Sequence, residues 1–291
     1  MFTILWYSLG RSRGQILGWG LALAILGGYL VGFYDTLAEQ KEALEQLLRS
    51  YPPELMAFFG NFNQMFTPQG YLHVEFFSYM PLILGIYAVL AGSGLLAGDE
   101  ESGTLDLLMA YPLSRTAFYL GRLAAFATTT FLILLVTWVG FAVVVPGTTM
   151  DVTPLDLAAP FLSLFIFLML FGFLALLLSM LLPSRRFAAM AGGMLLVASF
   201  FISSLARIDD NLVKVAEYSP FNYYQGGEAI IGLDWGWIGG LLGFALLFAL
   251  LAWWRFERRD IRVGGEGGWG VSLPAFLKRR RFRSERLSSQ L

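Results

Sequence analysis

Six stretches of this chain, residues 16–34, 76–97, 123–145, 157–182, 187–205 and 235–254, run end to end without an Asp, Glu, Lys, Arg or His. Each is close to the roughly 20 apolar residues that an α-helix needs to cross a bilayer. Hydrocarbon offers no water to a bare N–H or C=O, so each run has to close its backbone hydrogen bonds internally as helix. The expected fold is an all-α integral membrane protein with six transmembrane helices. The composition agrees: 57% of the 291 residues are hydrophobic and 14% charged, against about 25% charged in soluble domains. A net charge of −1 gives no footing for nucleic acid.

The run at 16–34 follows Arg11 and Arg13 and so mimics a signal peptide. Its apolar stretch exceeds the usual 7 to 15 or so residues, and only Thr36 and Ala38 loosely suggest a cleavage site, so it reads as an uncleaved span. With the N-terminus inside, sixteen of the twenty Lys and Arg fall on inner segments; only Lys41, Arg49, Arg207 and Lys214 fall outside. The positive-inside rule then places both termini and the loop at 98–122 in the cytoplasm of a multi-pass protein of the cell (inner) membrane.

Catalytic candidates are few. There is no Cys and one His, His73, which with Glu75 reads as a solvated pair at the outer edge of the second span. Ten Met residues are scattered without clustering. No metal site or catalytic residue is expected, and no cofactor in this chain. Ion-coupled transporters keep ionisable groups inside their spans, and these runs hold none. The chain also has no G-x-x-x-x-G-K-[ST] phosphate loop. It therefore reads as a non-enzyme, with ATP and Mg handled by a separate ATPase subunit.

The loop at 98–115 has a pattern of its own. Leu105, Leu108 and Met109 recur at i, i+3 and i+4, and Pro112 stops the helix they predict. Asp99, Glu100 and Glu101 fall at its start, where negative charge complements the helix dipole. Gly98 or Gly103 can turn the backbone out of the second span, and Asp106 sits beside the apolar face. Such a helix either docks in the groove of a soluble partner or lies on lipid headgroups; acidic residues fit anionic headgroups poorly. The Glu100-Glu101 pair resembles that of intramembrane CAAX-type proteases, but Leu105 stands where that motif has Arg and no spaced His follows.

Gly98-Asp-Glu-Glu-Ser-Gly-Thr-Leu-Asp-Leu-Leu, followed by Tyr111-Pro-Leu-Ser-Arg115, resembles the signature of the ABC-2-type, or type V, ABC transporter permeases. Ser219-Pro220-Phe221 and Arg255-Phe-Glu-Arg-Arg-Asp-Ile261 extend the resemblance to a permease domain over 1–262. It implies a cytoplasmic coupling helix between spans two and three, resting on a nucleotide-binding ATPase subunit through Glu100, Glu101, Gly103, Thr104, Leu105, Asp106, Leu108, Met109 and Arg115. It also implies an N-terminal interfacial elbow helix, here over 2–15, and a second permease as homodimer or heterodimer partner. The function implied is ATP-driven export, moving a substrate, hydrophobic or amphiphilic in keeping with the apolar spans, across or between leaflets. The alternative is a membrane scaffold or sensor that docks an ATPase without transporting anything.

Small residues spaced by four (Ala88/Gly92, Gly94/Gly98, Ala188/Gly192, Ala189/Gly193, Gly232/Gly236/Gly240) predict close helix packing. Trp6, Tyr34, Trp235, Trp237, Trp253 and Trp254 predict an aromatic belt. The tail at 263–291 carries a Gly-rich hinge and a basic stretch at 278–283, which either binds anionic membrane lipid or only fixes orientation. The topology is tested by labelling. A Ser184→Cys variant should react only with reagent on the cytoplasmic side and Thr148→Cys only from outside, and the reverse pattern overturns the assignment.

Overall fold

The computed structural model describes residues 2–40, 52, 67–105 and 114–259. Asp106, Leu108, Met109 and the basic tail lie outside the described residues. All regular structure among the described residues is helical. Six helices are long and apolar enough to cross a membrane: Arg13–Glu39, Pro68–Gly94, Arg115–Gly147, Ala158–Leu181, Arg185–Leu205 and Trp235–Arg258. They are called the first to sixth spans below. An N-terminal helix, Phe2–Arg11, precedes them, and a short helix, Ala97–Glu101, follows the second.

The first span extends past its apolar stretch at both ends. The second ends at Gly94, short of the expected 97, but it and the third begin well before their stretches, where a cap and not apolarity sets the helix start. Thr67 accepts the Gly70 N–H at 3.2 Å and Pro68 follows it, so the second span starts there. Ser114 accepts the Ala117 N–H at 3.1 Å and starts the third span at Arg115. Asp35, His73, Glu75, Arg115 and Arg122 consequently ride on spanning helices. Within the second span, His73–Phe77 forms one π-helical turn. It buries the adjacent Phe76 and Phe77 together, the first 4.8 Å from the Phe141 ring and the second 5.3 Å from Phe161, both edge-on.

The fourth span is the central post, with 78% of its apolar window buried. The second and sixth spans lie along it, the fifth packs on the second and fourth, and the first pairs with the third. Lipid tails are as apolar as Leu, so contact between spans gains little from hiding apolar surface and depends on fit. A Cβ added to Gly92 would stand 2.1 Å from the Gly172 carbonyl oxygen. One added to Gly140 would stand 2.5 Å from that of Ala24. Backbone therefore meets backbone in both pairs. Gly192 also seats a neighbour, 3.1 Å from Val89, whereas Gly193, Gly232 and Gly240 face nothing within 4 Å. Of the expected belt, the five tryptophans are exposed. Tyr34 is buried and packs 5.4 Å from Tyr71, because the first span continues past it to Glu39.

Gly92→Ala should lower the thermal midpoint in detergent, equivalent to about 1–3 kcal/mol of overpacking, against a helix propensity that favours Ala by about 1 kcal/mol. Gly193→Ala, with open space around it, should leave the midpoint unchanged or raise it.

Candidate functional site

One end of the bundle gathers the N-terminal helix, the 97–105 segment, the starts of the third and fifth spans and the end of the sixth. It is rich in arginine and is called the basic end. The chain leaves the second span at Gly94, makes the short helix Ala97–Glu101, and turns at Ser102–Gly103. Gly103 has φ +69°, a left-handed conformation that costs a side chain strain, and it makes the turn; Gly98 does not. The Thr104 hydroxyl closes the turn by donating to the Asp99 carbonyl at 3.2 Å, with the Ser102 hydroxyl 2.9 Å away.

The acidic residues of this segment hold the bundle together. Asp99 pairs with Arg122 of the third span, whose Nη1 also donates to Ser8 of the N-terminal helix at 3.2 Å. Glu100 pairs with Arg259, just past the sixth span, at 3.3 Å. Glu101 accepts the backbone N–H of Arg185, at the start of the fifth span, at 2.9 Å. Three consecutive carboxylates thus reach three different spans. A fourth tie runs from Arg115, whose Nη1 donates to the carbonyls of Phe256, Glu257 and Arg259 at 3.4, 3.3 and 2.7 Å. These are carbonyls at the helix end where a cation is favoured. Thr116 adds a 2.6 Å bond to the Glu257 carboxylate.

This placement corrects one expectation. Leu105 does not offer itself to a partner: it is 2% exposed and packs with Ile4, Phe118, Tyr119, Met180 and Phe256 in a separate apolar cluster at this end. Its i, i+3, i+4 spacing marks an apolar face without saying what covers it, and here the chain covers Leu105 itself. Glu101 and Thr104 are exposed on the outside of the turn, and Gly103 is half-buried. Sequence reasoning missed Asp99, Arg122, Arg185 and Arg259 as site residues, although their charge was legible. The pair Gly94/Gly98 serves a different purpose from the one expected. It receives the Arg185 side chain, whose Cζ would lie 2.8 Å from a Cβ at position 94.

Beneath the N-terminal helix, walled by the second and third spans and the start of the fifth, lies a cavity of about 460 Å³. The opposite end is closed by the loop at 206–234. Ser219 bridges the Ser203 hydroxyl at 2.7 Å and the Ser199 carbonyl at 3.0 Å, and Phe221 stands edge-on to Phe167 at 4.7 Å. His73 belongs to this closure: its Nδ1 accepts the Gly227 N–H at 3.2 Å, so it is an anchor of the loop and not half of a solvated pair.

A family model described as ABC-2 family transporter protein matches residues 16–261. No curated protein matches the sequence.

Asp99→Ala should cost roughly 3–5 kcal/mol by stranding the Arg122 guanidinium in a largely buried site. A double variant with Arg122→Ala should recover part of that loss. Simple additivity of the two single effects in chemical or thermal unfolding would show the pair to be uncoupled.

Proposed function

This chain belongs to the ABC-2 transporter family, and from that membership we propose that it is the permease subunit of an ATP-driven exporter. It is a multi-pass membrane protein of a family whose permeases work with an ATPase subunit. In the proposed assembly two permeases, identical or different, sit in the cell (inner) membrane with both termini and the 97–115 segment in the cytoplasm. A pair of ATPase subunits beneath them binds ATP and Mg, and this chain has no ATP site of its own. Closure of the ATPase pair pushes the coupling segment, and the spans rearrange to carry a hydrophobic or amphiphilic substrate across or between leaflets.

The observation that supports this reading most is the wiring of the 97–105 segment. Asp99, Glu100 and Glu101 tie it to the third, sixth and fifth spans, and it continues directly from the second. A displacement of this short segment would pull on four of the six spans at once. That is the mechanical property a coupling element needs. In this scheme Leu108 and Met109, outside the described residues, supply the apolar contact to the ATPase, and Leu105 keeps the segment seated on its own bundle.

The test separates the two roles. Leu108→Asp with Met109→Asp should abolish co-purification of the ATPase subunit while leaving a folded permease, because charges would be forced into an apolar groove. Leu105→Asp should instead reduce the yield of folded permease. In the reconstituted complex, substrate should raise ATP hydrolysis; a complex that assembles but never responds to any substrate would be a scaffold or sensor.

A further inference from the structure

We propose that the cavity beneath the N-terminal helix is a binding site for an anionic lipid, with the phosphate at the basic mouth and an acyl chain in the depth. Its volume of about 460 Å³ falls within the range of small-molecule sites. The walls change character along their length. At the mouth stand three guanidinium groups, Arg11, Arg122 and Arg185, and one carboxylate, Asp99. Asp99 is paired with Arg122. Among the described residues no carboxylate lies within ion-pair distance of the Arg11 or Arg185 guanidinium. The mouth therefore carries two positive charges beyond its internal pair. Guanidinium is the side chain best matched to a phosphate, offering parallel N–H donors in a fixed fork.

Arg185 is also pre-positioned. Its backbone N–H is held by Glu101, and its guanidinium lies across Gly94, where any Cβ would displace it, with Nη2 donating to the Leu90 carbonyl at 3.5 Å and its remaining N–H groups left for an anion. Such a group loses little freedom on binding an anion.

Farther in, apolar surface from Ala91, Ala125 and Phe126 joins the lining beside the Tyr87 ring and the polar groups of Gln15 and Thr129. Thr129 lies seven residues beyond Arg122 on the third span, about 10 Å at 1.5 Å per residue, and Phe126 stands between them. Ala91 on the second span and Leu95 just past its end line the facing side. The Thr129 hydroxyl, nine-tenths buried, has no hydrogen-bond partner among the described residues and is available to an ester carbonyl. A free phosphate would satisfy the mouth and leave the Ala91, Ala125 and Phe126 surface unused, whereas a neutral lipid would cover that surface and leave the two arginines unused. Only a molecule with both halves uses the whole cavity.

The experiment uses the full-length chain without ATP or any partner, so its failure leaves the transport reading standing and the converse also holds. Phosphatidylglycerol should be retained in native mass spectra and raise the thermal midpoint, whereas phosphatidylcholine and inorganic phosphate should not. Arg11→Gln with Arg185→Gln should weaken phosphatidylglycerol binding about tenfold or more while leaving the lipid-free midpoint near wild type. Ala91→Trp, which fills the depth and leaves every charge in place, should weaken it as well. Replacing the six residues at 278–283 by Gln in the full chain should leave retention intact. Equal stabilisation by phosphatidylcholine or by inorganic phosphate would overturn the proposal. So would wild-type affinity in the double arginine variant, or loss of retention on neutralising the tail alone.

Discussion

Where Gly92 meets Gly172, the second and fourth spans touch backbone to backbone, and the surrounding geometry follows from that contact. Helices in lipid are not driven together by water, so approach close enough for dispersion contacts has to be built from residues without side chains. Gly172 serves two neighbours. Its far side receives the Phe126 ring of the third span, which a Cβ would meet at 2.4 Å. Three spans are thereby locked at one height. The second span then ends at Gly94, two residues past the contact, and the segment carrying Asp99, Glu100 and Glu101 emerges level with the arginines it pairs with.

Those pairs sit where burial and charge compete. Taking an ion pair out of water costs about as much as the pairing returns, so a largely buried pair is weak grounds for stability but specifies which groups must meet. The basic end uses this repeatedly, with different partners for Asp99, Glu100, Glu101 and Arg115. The apolar interior could tolerate small slips between smooth helix faces. The charges at the end could not, because any slip would strand a carboxylate.

The spans were legible because hydrocarbon imposes a rule on every residue of a run. Their ends were not, since Thr67, Pro68 and Ser114 are ordinary cap residues that a hydropathy window overlooks. Leu105 shows a second limit of pattern reading: periodicity reports an apolar face, and its cover was Ile4, Phe118 and Phe256, distant in sequence. Gly94 and Gly98 have the spacing of a helix seat, yet receive an arginine. The acidic motif itself stood out at once, whereas its partners are spread from Arg122 to Arg259 and are joined only by folding. His73 likewise looked like an edge residue until the loop at 206–234 closed onto it.

The 97–105 segment has two faces, which reconciles its structural and proposed functional roles. Asp99 and Leu105 point inward and hold the segment to the bundle, while Glu101 and Thr104 remain exposed on the outside of the Gly103 turn. A partner pressing on the outer face would meet a unit too well tied to deform by itself. The load would pass through Asp99 to the third span, through Glu100 to the end of the sixth, and through Glu101 to the start of the fifth. In the proposed coupling, the bonds that make this segment look purely structural are the ones that let a push at its surface reach the membrane.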